Sequence, residues 1–309
     1  MVVGRAELEA SLAGLEAEVA DPRAGIHGPG STAWRLERDG LILLGGGRAV
    51  LLQLAHPFVA HAIRDHSRTR GDVVGRFHRT FRAVFAMSFG DLDHAFRAAR
   101  AIHGGHARVA GVLDDDSGGF APGTPYAGND PDALRWVHTT LIETVVVVHE
   151  ALHGPLPEAT KDAYCRDARR FGALFAIPEA LLPTTWTALR GYVDGMLAGG
   201  QLTVTAAARA MADYLFGGRL GPGVRAITAG LLPVSVRDGF GMAFGAGERR
   251  RYAAALAGAR VLARLPAATR DLPAYRDAQR RLRGLPPARW SRWLEGRMFA
   301  LASHASTPT

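Results

Sequence analysis

Apolar residues recur along most of the chain at the spacing that places them on one face of a helix. In residues 48–64 they fall at Leu51, Leu52, Ala55, Val59 and Ile63, which is the i, i+3, i+4, i+7 pattern of a buried helix face. No convincing segment alternates between apolar and polar residues for the length of a strand. The pattern therefore predicts an all-α protein.

Segments rich in Gly, Pro and Asp separate the predicted helices. The helices cover residues 5–19, 32–38, 48–64, 73–89, 92–113, 131–153, 158–175, 178–198, 205–216, 247–265, 274–282 and 290–303. Pro57 lies inside one of them, where a proline forces a kink or a fresh start. Since apolar segments lie on both sides of each turn, we expect one large globular multi-helix domain over residues 1–309. An amphipathic helix would open it within residues 1–25, and the helices of residues 200–309 would complete it.

The composition of the chain indicates where in the cell the protein is expected. The chain of 309 residues is 48% hydrophobic, which allows a sizeable core, and its single cysteine, Cys165, excludes an intramolecular disulfide framework. The N-terminus carries several glutamates and no uninterrupted apolar run, so we expect no secretory signal. No run approaches the ~20 apolar residues of a spanning helix. These features predict a cytoplasmic protein without a membrane span, and they leave the oligomeric state open.

The positive charge does not predict nucleic-acid binding. The formal net charge is +8, but nearly all of it comes from arginines scattered along the chain, and Lys161 is the one lysine. A nucleic-acid-binding domain usually clusters its basic residues on one face. We therefore expect small-molecule partners and no nucleic acid.

The segment HEALH, which ends the helix of residues 131–153, matches the H-E-x-x-H motif of zinc peptidases. His149 and His153 lie at i and i+4, where two imidazoles could bind one zinc ion while Glu150 polarises a bound water. The extended metzincin motif would need glycine where this chain has Leu156, and no second motif supplies a third ligand. A di-iron bundle would need two Glu-x-x-His motifs, and only one is present. Zinc hydrolysis is therefore the third of three functional hypotheses.

Five blocks carry a resemblance to a known family over about residues 34–196. They are WRLERDGLILLGGGRAVLLQLAHP, GRFHRTFRAVFAMSFG, HARVAG, YAGNDPDALRWVHTTLIETVVVVHEALHGPLPE and YCRDARRFGALFAIPEALLPTTWTALRGYVDGM. Together they resemble the catalytic domain shared by latex-clearing proteins (rubber oxygenases) and the fungal membrane-bound oxygenase of mycophenolic acid biosynthesis. The resemblance implies globin-like packing of helices around haem b. It also makes Glu150 an ordinary residue of its helix and HEALH a coincidence of spelling.

The resemblance implies that one histidine is the axial ligand of the haem iron. The family pattern, H-x-x-V at the end of a helix, maps onto His106. His103 remains the alternative, because the intervening Gly104-Gly105 makes the helical phase uncertain. His138 lies in a block typical of the family and is expected either to pack or hydrogen-bond near the pocket or to be a core histidine.

On the opposite side of the haem the family carries Arg-x-x-Lys-Thr. The matching residues here are Arg76, Arg79 and Thr80, which share one helix face at i, i+3 and i+4. Arginine stands in place of lysine, and a guanidinium is permanently charged, so we expect no lysine-ligated state. Arg79 would instead contact a haem propionate or bound oxygen, or simply be a solvated arginine.

The family's glutamate, its proposed catalytic base, has no counterpart in HPFVAHAIRDHSR. The nearest equivalents are Asp65, His56, His61 and His66. The first hypothesis is therefore a haem b-dependent oxygenase acting with dioxygen on a hydrophobic small molecule such as an isoprenoid. The second is a non-catalytic binder of haem or an apolar ligand that keeps the same fold.

Overall fold

Helices account for almost all of the regular structure, which confirms the all-α prediction. The computed structural model describes residues 2–66, 73–216 and 222–288, without the side chains of residues 73–79 and 214–216. The α-helices are α1 (Arg5–Glu18), α2 (Thr32–Glu37), α3 (Gly46–Leu54), α4 (Pro57–His66), α5 (Val73–Phe89), α6 (Leu92–His106), α7 (Pro131–His153), α8 (Glu158–Ala173), α9 (Trp186–Ala198), α10 (Ala206–Phe216), α11 (Pro222–Leu231), α12 (Val234–Gly239), α13 (Ala246–Ala263), α14 (Ala267–Arg270) and α15 (Pro273–Leu282). Short 3-10 helices lie at Pro22–Ala24, Gly40–Gly45 and Glu179–Leu181. The helix predicted at 290–303 lies outside the described residues.

Three predicted helices are shorter or divided in the structure. The helix predicted at 178–198 is a short 3-10 helix, Glu179–Leu181, followed by α9 from Trp186. Pro57 starts the new helix α4, and the 3-10/α3 segment Gly40–Leu54 meets α4 at 96°. The proline ring excludes a helical hydrogen bond and disfavours a helical residue before it. α6 ends at His106 instead of residue 113, and the chain enters a two-stranded antiparallel hairpin of β1 (Ala110–Val112) and β2 (Pro125–Ala127). The sequence reasoning missed this hairpin because three residues are too few to show an alternating pattern.

The central element is α7, which is buried along most of its length. It packs against α3, α8, α9 and α13, and Trp136, Ile142 and Val146 join the largest apolar cluster with residues of α3, α8 and α9. The 3-10 segment before α3 approaches α7 closely at Gly45, where a Cβ atom would lie 2.4 Å from Thr144 Cγ2. Glycine at this position therefore sets the contact between the two elements.

A second apolar cluster joins α1, α6 and α8 and includes part of α5. Its buried members include Leu8, Leu12, Met87, Phe96 and Phe171. This cluster positions α6 and the C-terminal half of α5 side by side. The haem-binding candidates of the sequence lie on these two helices, apart from His138, which lies on α7.

The C-terminal helices close over the N-terminal part of the chain. Arg38 forms a two-pronged ion pair with Asp271, at 2.6 and 2.9 Å, and Leu272 N donates to Arg38 O at 2.7 Å. Arg281, at the end of α15, donates to Phe89 O at the end of α5. Residues far apart in sequence are thus fixed next to the α5–α6 turn.

Among the described helices none is by itself long and apolar enough to cross a membrane. Only the bent pair Gly40–Leu54 and Pro57–His66, taken together, meets the length and composition expected of a span.

Candidate functional site

The last turn of α6 carries both candidate axial histidines. The Asp91 side chain caps the start of the helix by accepting a backbone N–H of the first turn at 2.8 Å. The buried residues of α6 follow helical spacing: Leu92, Ala95, Phe96 and Ala99. His103 and His106 continue this face at i+4 and i+7 from Ala99, so both are half-buried beside the second cluster.

His103 is bound to the N-terminal segment. Its Nε2 atom lies 3.1 Å from Val3 O, and since a carbonyl can only accept, Nε2 carries the hydrogen. Val3 N in turn donates to Asn129 O at 3.0 Å, and Asn129 Nδ2 donates to His103 O at 3.2 Å. These three bonds close a small network that uses His103 to hold the N-terminal segment against the end of α6.

The backbone of His106 is held by the loop that follows the hairpin. Val109 N donates to His106 O at 2.9 Å, and Gly128 N donates to Val109 O at 2.8 Å. A Cβ atom at Gly128 would lie 2.6 Å from His106 O and 3.0 Å from His106 Cα. Only glycine allows this approach, so the loop fixes where the His106 imidazole leaves the helix.

The residues predicted to lie on the side of the haem opposite the histidine, Arg76, Arg79 and Thr80, are on α5. The side chains of Arg76 and Arg79 lie outside the described residues, while the backbone of α5 is helical through both positions. Thr80 is exposed. α5 packs beside α6 through residues such as Val84 and Met87, so the face that carries these three residues belongs to a helix adjacent to His106.

His138 is a core histidine that joins α7 to α8. Its Nε2 lies 2.9 Å from Ala168 O, and its ring stacks on Phe171 with centroids 6.2 Å apart. Burial lowers the pKa of His138 to about 4, so the ring is neutral near pH 7. With Nε2 donating, Nδ1 keeps a lone pair, and this buried atom has no hydrogen-bond partner among the described residues.

The residues that stand in place of the family glutamate serve the contact between α4 and the hairpin. Asp65 accepts a hydrogen bond from Tyr126 Oη at 2.6 Å and pairs with Arg64; the Arg64 guanidinium is the main cause that lowers the pKa of Asp65. His66 Nε2 lies 3.1 Å from Ala110 O. His56 is buried among Phe58 and Phe120, and burial lowers its pKa to about 4. Asp65 is therefore an ionised carboxylate that already has two partners.

The HEALH residues are only partly arranged for zinc. The rings of His149 and His153 lie side by side, with centroids 4.7 Å apart. Glu150 points elsewhere, since its Oε1 accepts a hydrogen bond from Leu156 N at 3.1 Å and faces Lys161 at 3.6 Å.

A third zinc ligand is not in place within the parts of the chain that the structure describes. Asp39 Oδ2 lies 4.0 Å from His153 Nε2 but pairs with Arg270. The motif thus brings two ligands together and leaves the water-polarising group turned away from them.

A buried ion pair that the sequence reasoning missed lies between α3 and α7. Arg48 and Glu143 are almost completely buried, with Nη2 and Oε2 2.6 Å apart. Arg48 also donates to Thr144 Oγ1 at 2.6 Å and to Leu231 O at 2.9 Å, and Glu143 also pairs with Arg190 of α9. One charged residue inside each of the apolar runs GGGRAVLLQLA and TTLIETVVVV was the signal that could have found the pair.

The donor chemistry at the end of α6 fits a histidine-ligated haem. A neutral imidazole is a standard axial ligand of haem iron. Both histidines at this end of α6 are held in place: His103 Nε2 contacts Val3 O, and the half-buried His106 has its backbone fixed from two directions. Arginines on the adjacent helix suit the carboxylates of haem propionates. The residues present therefore fit haem b held by a histidine at the end of α6.

Comparison with known proteins gives one family and two curated relatives. Residues 34–265 match the sequence profile of the family described as the ER-bound oxygenase mpaB/B'/rubber oxygenase catalytic domain. The chain is 29% identical over 159 residues to the Uncharacterized protein Rv2237 of Mycobacterium tuberculosis and, to the same extent, to the Uncharacterized protein Mb2261 of Mycobacterium bovis. The match covers 50% of this chain and 59% of each relative. No solved structure matches significantly.

Proposed function

Because this chain belongs to the family of the ER-bound oxygenase mpaB/B' and rubber oxygenase catalytic domain, we propose that it is a haem b-dependent oxygenase. Its substrate in this proposal is a hydrophobic small molecule, with isoprenoids as the first class to test, and dioxygen is the co-substrate. The observation that carries the proposal is that the family match spans α5, α6 and α7, the helices that hold the candidate haem residues.

In this proposal His106 would hold the haem by binding its iron. Bound haem b would supply an iron centre able to activate dioxygen. Arg76, Arg79 and Thr80 would line the distal side from α5, with the arginines oriented to anionic groups. His138 would stay neutral and hold α7 to α8, so that the wall of the pocket keeps its shape. The apolar helices would exclude water and receive the hydrophobic substrate.

The assignment of His106 is tested by comparing two neighbouring histidines. We expect His106→Ala to lower haem content at least about tenfold, since disturbing only the partners of a metal ligand already costs 10- to 100-fold. His103→Ala, the matched control, should keep haem because His103 binds the N-terminal segment. The measurement is the Soret absorbance per chain of tag-free protein from haem-supplemented cells. Full haem content in His106→Ala, or loss only in His103→Ala, would remove the assignment.

The second candidate function is binding of haem or an apolar ligand without catalysis. The contacts of Asp65 support it. Its carboxylate is ionised and already engaged by Tyr126 and Arg64, so α4 offers no free carboxylate in place of the family base. Oxygen uptake with a panel of isoprenoids separates the two functions. A catalyst consumes oxygen with at least one of them, whereas a binder changes its absorption spectrum with ligand and consumes none.

Zinc hydrolysis remains the third hypothesis. It requires stoichiometric zinc bound through His149 and His153 and an activity that a chelator removes. Metal analysis of the same purified sample, together with its absorption spectrum, tests it directly.

A further inference from the structure

The end of α4 and the loop after β1 form a polar cluster around one buried imidazole. His61 is completely buried, and its Nε2 atom lies 3.1 Å from Asp114 Oδ1 and 3.3 Å from Asp115 Oδ1. The two carboxylates are partly open to solvent, with side-chain exposures of 61% and 38%. One buried imidazole nitrogen thus faces two accessible carboxylate oxygens, and all three atoms are of types that can bind a metal ion.

Both ring nitrogens of His61 face oxygen atoms that can accept a hydrogen bond. Nδ1 lies 2.9 Å from Pro57 O, the carbonyl one helical turn earlier, and since a carbonyl can only accept, Nδ1 carries a hydrogen. Nε2 and the two carboxylates therefore face one another across a position that a proton or a metal cation would fill. A histidine whose other nitrogen donates to a backbone carbonyl is the usual arrangement of a metal-binding imidazole.

The ligand spacing matches a metal centre. Ligands about 2.1 Å from a metal are about 3.0 Å apart at right angles and about 3.4 Å apart in a tetrahedron. The observed separations of Nε2 from the two carboxylate oxygens, 3.1 and 3.3 Å, fall between these values. All three ligand atoms lie within 4.8 Å of one another.

The local charge also favours a dication. The carboxylates of Asp65, Asp114 and Asp115 surround His61, and the cation opposite them is the guanidinium of Arg64, which contacts Asp65 at 2.6 Å and Asp114 at 2.9 Å. These carboxylates outnumber the guanidinium, so the cluster carries an excess of negative charge that favours a bound cation.

The loop that carries the aspartates is held in place before any cation binds. Ser117 Oγ donates to Asp115 Oδ1 at 2.7 Å. Gly119 N donates to Gly200 O at 3.0 Å, and Thr203 N donates to Ala55 O at 2.8 Å, just before α4. The loop and the start of α4 are thus tied to the same segment, and binding requires little ordering of the ligands.

We propose that His61, Asp114 and Asp115 bind one divalent first-row transition-metal cation, with solvent in the remaining coordination positions. One imidazole and two carboxylates are the donor types that suit Zn²⁺ or Mn²⁺, whereas Ca²⁺ prefers six to eight oxygen ligands. The proposal does not rest on the proposed oxygenase function.

The test is metal titration of the full, tag-free chain, with haem content measured separately. Calorimetry with Zn²⁺ and with Mn²⁺ should show one site per chain. Asp114→Asn with Asp115→Asn should weaken binding at least about tenfold, because these residues contact the cation directly. Asp116→Asn, a neighbouring exposed carboxylate outside the ligand set, is the matched control and should bind as the wild type does.

Two further variants make the result unambiguous. His61→Gln removes the buried ligand, and circular dichroism shows whether it folds; the exposed aspartate pair decides the outcome if it does not. His149→Asn with His153→Asn removes the other imidazole pair and should leave the site intact. The proposal is overturned if the wild type binds neither cation, if Asp114→Asn/Asp115→Asn binds as tightly as Asp116→Asn, or if removing His149 and His153 abolishes all binding.

Discussion

The carboxyl group of Glu37 is withdrawn from water, and this changes its protonation. Glu37 Oε1 accepts a hydrogen bond from Tyr164 Oη at 2.9 Å. Burial is the main cause that raises the pKa of Glu37 to about 7, against 4.5 for the ordinary group. The folded protein therefore holds a proton on Glu37 between about pH 4.5 and pH 7, where the unfolded chain has lost it.

The raised pKa of Glu37 predicts a pH-dependent contribution to stability. Glu37 contributes up to about 3 kcal/mol to the free energy of unfolding. This contribution is fully present below about pH 4.5 and is lost as the pH rises to about 7. Glu37→Gln keeps an oxygen acceptor for Tyr164 and cannot ionise, so its stability should fall less over this range. Urea denaturation of both proteins at several pH values measures the difference. Identical pH profiles would show that Glu37 ionises in the folded protein as it does in water.

The HEALH residues show what spacing alone can predict about a site. The i, i+4 spacing correctly places the rings of His149 and His153 side by side. It could not predict that Glu150 accepts the Leu156 N–H, because that contact depends on how the chain turns after α7. The spacing of a motif predicts which residues share a helix face. The orientation of a flexible carboxylate depends on neighbours outside the motif.

At the scale of secondary-structure elements, the Arg48–Glu143 pair connects α3, α7 and α9. Removing one partner of a buried ion pair leaves an uncompensated charge, which costs about 3–5 kcal/mol. Glu143→Ala should therefore lower the free energy of unfolding by about that amount, measured by urea denaturation. Asp194→Ala, which removes only the exposed partner of Arg190, should change it by less than about 1 kcal/mol. Equal effects of the two substitutions would mean that the buried pair does not join the helices energetically.

Periodicity predicted the long helices well and the short elements poorly. α7 has the predicted bounds, since Asp130 caps it, Pro131 opens it and Gly154 ends it. α12 is six residues long and the hairpin strands are three residues long, which is too short for a hydrophobic period to emerge. Pro57 marks the division between α3 and α4 in the sequence, but the 96° bend depends on packing.

At the scale of the whole molecule, we expect three histidines with lowered pKa values to set how stability changes on acidification. Burial lowers the pKa of His27 to about 3 and the pKa values of His56 and His138 to about 4, against 6.5 for the ordinary group. The unfolded chain binds protons at these positions below about pH 6.5, whereas the folded protein does not. Their contribution to stability is present above pH 6.5 and is lost as the pH falls towards 4.

Three imidazoles outweigh the opposite effect of Glu37 in this range. The free energy of unfolding should therefore be lower near pH 4.5 than near pH 6.5, and Glu37→Gln should show a steeper fall on acidification than the wild type. Guanidinium denaturation at the two pH values tests both statements. A wild type that is equally stable at both would mean that these histidines protonate without unfolding the protein.

The fold class and the family could both be predicted from the sequence, but the candidate site only in part. The five sequence blocks gave the oxygenase family, and the match extends to residue 265, beyond the predicted core of residues 34–196. His103 and His106 share one helix face, so spacing alone could not choose between them, and the contact of His103 with Val3 O could not be predicted from the sequence. The His61 cluster joins α4 to a loop some fifty residues later, and such tertiary contacts leave no local pattern.

The close approach of Gly128 to His106 links two positions that no sequence motif connects. Any side chain at 128 would press on the backbone of the candidate ligand and shift its imidazole, although no atom of the pocket would be replaced. We therefore expect positions 106 and 128 to vary together among related chains. Lineages that keep histidine as ligand should keep glycine in the loop, and lineages that abandon the ligand should lose the constraint on both.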